Sequence, residues 1–182
     1  MEIKMDIISE LNGKRILIWG YGREGKATEH FLQRCVKPAS VDIFEGKKEE
    51  IDEDDYDFII KSPGLVMNEE NPKYTSETEL FLQQFRDQVI GITGTKGKST
   101  TSAMLYTVLK ACSGRPVLLL GNIGQPCLDY FEEVTEDTII VYEMSCHQLA
   151  HTNVSPHIAI FLNLYEEHLD YYGTVEKYFE AK

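Results

Sequence analysis

The sequence predicts an α/β protein built from two consecutive parallel-sheet units, and three observations carry that prediction. Short β-rich runs alternate with segments of helical spacing along all 182 residues. Two of those strand-to-helix junctions are glycine-rich, "GYGREG" at 20–25 and "GITGTKGKST" at 91–100. The later strands are near-continuous apolar runs, as expected of parallel strands covered on both faces. The reading is a Rossmann-like parallel-sheet domain over residues 1–87. A P-loop-type α/β domain follows over residues 88–182 and is expected to be incomplete at its C-terminal side, because "TVEKYFEAK" (174–182) ends in mid-helix.

In the first unit "KRILIWG" (14–20) is a strand, and "GKATEHFLQRC" (25–35) follows as a helix with Ala27, Phe31, Leu32 and Cys35 on one side. "SVDIF" (40–44) is a second strand, "DEDDY" (52–56) a charged connection, and "DFIIKSPG" (57–64) a third strand stopped by Pro63-Gly64. "TSETELFLQQFRD" (75–87) is a helix capped by Thr75 or Ser76. In the second unit the strand "QVIGIT" (88–93) enters the glycine loop. The helix over 98–112 then offers Ala103, Leu105, Val108 and Leu109 as an apolar side. Strands over 116–122, 138–145 and 157–164 complete the pattern.

The 30 acidic and 18 basic residues give a net charge of -12, which argues against sequence-independent contact with nucleic acid. Bound anions must therefore be held locally, by glycine loops, helix N-termini and a few placed cations. Cys35, Cys112, Cys127 and Cys146 form no C-x-x-C pair. The N-terminus carries no signal-peptide core, and no apolar run nears the ~18 residues of a membrane span. A cytoplasmic protein without membrane or nucleic-acid partners is expected, and it is expected to be monomeric.

Gly20, Gly22 and Gly25 fit G-x-G-x-x-G, and Glu45 lies 20 residues beyond Gly25, where an acid would hold a ribose in a dinucleotide site. Taken alone, that is an oxidoreductase signature. The second loop points to a triphosphate instead. Gly94 and Gly97 let backbone N–H groups face phosphates, Lys98 supplies charge, and Ser99 offers Mg²⁺ a hydroxyl. Ile92 stands where a strict Walker A motif has glycine. Adjacent Cys146 and His147 are expected to point in different directions and not to form a nucleophile and base.

"GITGTKGKST" resembles the ATP loop of the Mur ligases, amide-forming enzymes of peptidoglycan precursor synthesis, and in that family the Ile92 departure is expected. "GNIGQP" (121–126), "YEMSCHQL" (142–149) and "NLYEEHLDYYGTVEKYFEAK" (163–182) follow in the family's order, closest to its D-glutamate-adding members. The resemblance implies ATP, Mg²⁺, UDP-N-acetylmuramoyl-L-alanine and D-glutamate as ligands. It assigns Gly94, Thr95, Lys96, Gly97, Lys98, Ser99 and Thr100 to ATP, and Lys98, Glu143, His168 and Lys182 to catalysis. Mg²⁺ falls to Ser99, Glu143, His168 and a carbamylated Lys182, although stable carbamylation is not expected at a frayed last residue. The diphosphate read from the first loop then belongs to UDP. Gly22, Arg23, Glu24, Glu45, Ser62, Pro63, Gly64, Asn122, Gln148 and His168 surround the UDP-sugar. Tyr171 departs from the family, which commonly has a basic residue there, as do Met144, Cys146, His147 and Glu167 from its usual residues. The family's third domain, which binds the incoming amino acid, is expected to be missing. A nicotinamide oxidoreductase and a non-catalytic nucleotide-binding module are the alternatives.

Overall fold

The computed structural model describes residues 6–65, 71–150 and 152–182. A short helix α1 (Ile7–Leu11), capped by the Asp6 carboxylate, precedes strand β1 (Arg15–Trp19). Helix α2 (Arg23–Cys35), β2 (Ser40–Phe44) and β3 (Phe58–Lys61) follow. A two-residue strand β4 (Tyr74–Thr75) then leads into α3 (Glu77–Phe85). All pairs are parallel, in the order β2-β1-β3-β4. Ser76 caps α3 by accepting from the Glu79 amide, so of the two predicted caps the second is used.

Strand β1 shows why this sheet is covered on both faces. Its side chains alternate: Ile16 and Ile18 join one core cluster with Phe31 and Leu32 of α2, while Leu17 and Trp19 join a second with Ile59 and Tyr74. The turn after β1 brings α2 close enough that a Cβ on Gly25 would lie 2.2 Å from the Gly20 carbonyl oxygen. Only glycine permits that approach.

The second sheet holds β5 (Val89–Thr93), β6 (Val117–Gly121), β7 (Ile139–Glu143) and β8 (Ile158–Phe161) in the parallel order β6-β7-β5-β8. Helix α4 (Lys98–Cys112) opens directly from the glycine loop, and short helices α5 (Cys146–Leu149), α6 (Leu169–Tyr172) and α7 (Val175–Ala181) follow. The expectation of strands covered on both faces fails for β8. It is the sheet edge, paired only with β5, and Ile158 and Phe161 are 48% and 50% exposed. The apolar side expected on α4 is likewise shallow: its one fully buried residue is Ser102, and Val108 is exposed.

The two sheets share one core. Phe131 lies between Phe31 and Phe85, with ring centroids 4.7 and 5.0 Å away, and Phe81 stacks on Tyr142 at 5.9 Å. The buried Tyr142 hydroxyl is 3.1 Å from the Thr78 hydroxyl and donates to Cys127 Sγ. No helix among the described residues is long and apolar enough to cross a membrane. Gly25→Ala is expected to cost about 1–3 kcal/mol by forcing α2 off β1; urea unfolding of the variant against the unmodified protein measures it.

Candidate functional site

Because both sheets are parallel, the loops leaving β1, β3, β6 and β7 emerge at the carboxyl ends of their strands, where open α/β sheets bind ligands. Three of them enclose a cavity of about 230 Å³, lined by Gly22, Arg23 and Glu24 from the first, Ser62 and Pro63 from the second, and Gly121, Asn122 and Pro126 from the third. Most of the residues predicted for the sugar nucleotide therefore converge. Arg23 donates to the Gly124 carbonyl at 3.1 Å, tying the first glycine loop to the third loop. Ser62 donates to the Gly20 carbonyl at 2.9 Å, which fixes the second loop on the first. Gln148 donates to Glu24 at 2.8 Å and so reaches the cavity through that carboxylate. Glu45 does not join them: it is exposed beyond β2 and makes no polar contact with a described residue. Glu45, the acid expected to hold a ribose in a dinucleotide site, is thus not among the residues of the cavity wall.

A larger cavity of about 520 Å³ lies elsewhere, with Glu10, Tyr74, Glu79 and Asn153 in its wall. Two carboxylates and no lysine or arginine make it the wrong environment for phosphate.

The second glycine loop is braced from outside. Gly97 caps α4 with φ of 83°, a left-handed conformation suited to glycine. Asn163 accepts from the Lys96 amide at 2.9 Å and donates to the Lys96 carbonyl at 3.0 Å. The Thr95 hydroxyl is buried, accepting from the Tyr165 amide at 2.9 Å and lying 2.9 Å from the Tyr178 hydroxyl. Its side chain anchors the loop, and its backbone N–H donates to the Asn163 carbonyl at 3.0 Å. Lys96 pairs with Glu167, whose carboxyl is held below its ordinary range chiefly by that hydrogen bond. Ser99 and Thr100 are exposed in the first turn of α4.

Lys98 Nζ donates to the carbonyls of Gly94 and Thr95 at 2.8 and 2.9 Å. Lys182 Nζ shares the first acceptor, donating to Gly94 O at 2.8 Å and to Thr93 Oγ1 at 3.1 Å. The expected frayed end is instead a half-buried, bonded amine. Burial first, and Lys98 second, depress its pKa to about 8.

Glu143 ends β7 fully buried. One carboxylate oxygen accepts from Asn122 at 2.7 Å, while the other, also buried, has no partner among the described residues. An orphaned anionic oxygen at a strand's carboxyl end fits a hard cation. No cluster of three or more His, Cys, Asp or Glu able to hold a metal ion occurs among the described residues. His168 stands somewhat apart, in a left-handed backbone conformation with Nε2 3.7 Å from Glu167, its ring 5.0 Å from that of His147. Cys146 and His147 do approach, Sγ to Nδ1 at 3.7 Å, contrary to the divergence expected of neighbours. The first turn of α5 folds one over the other, but Cys146 is 2% exposed and has no access as a nucleophile.

Sequence reasoning missed Glu77, Lys61 and Tyr171. Glu77 looks like a solvated acid in a helix first turn, yet it is 2% exposed, accepts from the Leu128 amide at 2.9 Å and pairs with Glu24. Burial raises the pKa of both carboxyls, and their proximity raises that of Glu77 further. Glu24 Oε2 has no hydrogen-bond partner among the described residues, and burial beside Glu77 favours the protonated form in this pair. Lys61, a cation in an apolar strand, was the visible signal for this buried polar group; burial depresses its pKa to about 8.

A parallel α/β protein with a braced P-loop-type turn after β5 and a loop-lined cavity after β1, β3 and β6 has an architecture in which glycine loops and helix N-termini can hold phosphates. Residues 92–182 match the Mur ligase middle domain. A UDP-N-acetylmuramoylalanine--D-glutamate ligase of Clostridium kluyveri is 37% identical over 159 residues, covering 83% of this chain and 34% of that protein. The enzyme of the same name from Streptococcus pyogenes serotype M49 is 32% identical over 209 residues, covering 98% of this chain and 46% of the relative. The chain belongs to the Mur ligase family, and it spans less than half the length of these relatives.

Carboxyls with raised folded-state pKa values hold more protons than the unfolded chain, so their contribution to stability is present below the unfolded pKa and is lost as pH rises through the folded one. The urea midpoint is therefore expected to fall as pH rises above the ordinary carboxyl range, and to fall less in Glu77→Gln, whose amide can donate to Glu24 without a titrating proton. Equal slopes in the two proteins would contradict this account.

Proposed function

We propose that this chain supplies the sugar-nucleotide and ATP sites of a ligase that adds D-glutamate to UDP-N-acetylmuramoyl-L-alanine. The observation that carries the reading is the cavity where the loops after β1, β3 and β6 meet, joined through Asn122 to the buried Glu143 at the end of β7. Residues 1–87 would bind the UDP-sugar and residues 88–182 ATP, as a monomer in the cytoplasm. The relatives' printed names and the family's middle domain support the substrate pair.

In this reading the substrate carboxylate attacks the γ-phosphorus of ATP, the bond to the ADP oxygen breaks, and an acyl phosphate forms. The amino-acid nitrogen then attacks the acyl carbon, phosphate leaves, and the nitrogen loses its proton. The chain's part is positioning and charge neutralisation. Gly22, Arg23, Glu24, Ser62, Pro63, Gly64 and Asn122 orient the sugar nucleotide, with Gln148 steadying Glu24. Backbone N–H groups of Gly97 to Thr100 cradle the polyphosphate at the start of α4, on a loop whose Thr95 and Lys96 amides are held by Asn163, and Lys98 turns from the loop carbonyls to the γ-phosphate. Ser99, Glu143, His168 and a carbamylated Lys182 would hold Mg²⁺, which supplies charge neutralisation on phosphate oxygens. The orphaned oxygen of Glu143 supports that role. As a cation Lys182 would repel the metal, and its carbamate would not.

Calorimetric titration tests the division of labour. Lys98→Ala is expected to weaken ATP binding about ten- to hundredfold, since a charge-assisted contact is lost, with affinity for UDP-N-acetylmuramoyl-L-alanine unchanged. The 182 residues alone are expected to bind both ligands without ligating them. Phosphate release dependent on both substrate and D-glutamate would overturn that last statement.

A further inference from the structure

The turn after β3 is held by donors from both halves of the chain. At its start the Ser62 amide donates to the Trp19 carbonyl at 2.8 Å, and the Ser62 hydroxyl is bound to Gly20. The Leu65 amide closes the turn on the Ser62 carbonyl at 3.1 Å. The buried Lys61 ammonium donates to the Leu65 carbonyl at 3.1 Å and lies 3.5 Å from the Ser62 carbonyl. The other donor comes from α6. The Tyr171 hydroxyl is 3.2 Å from the Pro63 carbonyl and 3.3 Å from that of Leu65, over 100 residues away in sequence. One O–H spans two acceptors here as a three-centre bond.

The phenol cannot swing away freely. His147 meets its ring edge-on at 4.3 Å and Tyr172 packs at 4.8 Å, leaving Tyr171 half-buried. The same His147 ring touches His168. Tyr171 thus ties the cavity wall formed by Ser62 and Pro63 to the segment that carries His168, using a neutral donor beside the Lys61 cation. A basic side chain at this position would place a second positive charge next to Lys61 at a shared acceptor, where like charges repel.

We propose that Tyr171 is a positioning residue for sugar-nucleotide binding: its hydroxyl holds the Ser62–Leu65 turn in register with the His168 segment, so that the cavity keeps one shape. The inference rests on the reading of that cavity as the UDP-sugar site. Tyr171→Phe keeps the ring and its packing and removes only the donor. The variant is expected to bind UDP-N-acetylmuramoyl-L-alanine about three- to tenfold more weakly, the worth of an ordinary hydrogen bond, with ATP affinity and melting temperature unchanged. Amide exchange at Leu65 is expected to quicken without ligand, because the turn loses its outer tether.

Unchanged sugar-nucleotide affinity in the variant, with normal binding by the unmodified protein, overturns the positioning role. Equal weakening of ATP and sugar-nucleotide binding overturns it too, since that marks general damage. Should the unmodified protein bind no UDP-N-acetylmuramoyl-L-alanine, the cavity assignment falls with it. The tether is then judged on exchange alone, and an unaltered Leu65 rate in Tyr171→Phe refutes it.

Discussion

Every paired strand in both sheets runs parallel, and the site depends on that constraint. A parallel strand must hand the chain to a crossover before its neighbour can start, so successive strands release their loops on one side. Here the two sheets are set with those sides adjoining, and loops far apart in sequence form one wall. The glycines then have a definite task. Gly25 lets α2 sit against the turn after β1, and Gly97 lets α4 begin where the phosphate loop ends. Neither helix could aim its N-terminus at the site if those turns were wider.

Where the halves meet, the seam is polar on one side and aromatic on the other. Glu24, Glu77 and Gln148 are linked in a buried network, while Phe31, Phe85 and Phe131 fill the opposite part. Buried polar groups of this kind are costly unless each is satisfied, and burial beside one another favours the protonated, less costly form of these two carboxyls. The arrangement makes the seam specific in its geometry, since an apolar contact alone would tolerate sliding. Glu143, like Glu24, is buried with one oxygen unpartnered, but it stands at the carboxyl end of β7 beside Asn122.

The strands other than the two-residue β4, the α2 and α4 helices and both glycine loops were legible in the sequence because local patterning dictates them: the β-rich apolar run "ILIW", helical spacing after Gly25, and the T-G-T-K-G-K-S run. The convergence of Arg23, Glu24, Ser62, Pro63 and Asn122 was legible only through family resemblance. The roles of Glu77 and Tyr171 were hidden because they come from partners 50 or more residues away, Leu128 and the Pro63 carbonyl, although Tyr171 already stood out as a departure from the family's basic residue. Strand β8 misled for the opposite reason. Its apolar run is real, but being at an edge is a property of the sheet and not of the strand.

The aromatic seam has a kinetic side. Phe31 and Phe131 touch only after a loop of about 100 residues has closed, and Phe81 reaches Tyr142 across about 60. Contacts of that span are entropically expensive to form first, and parallel pairing adds crossovers of its own. Synthesis up to the end of α3 leaves Phe31, Phe81 and Phe85 without Phe131 and Tyr142, the aromatic partners they meet in the folded chain.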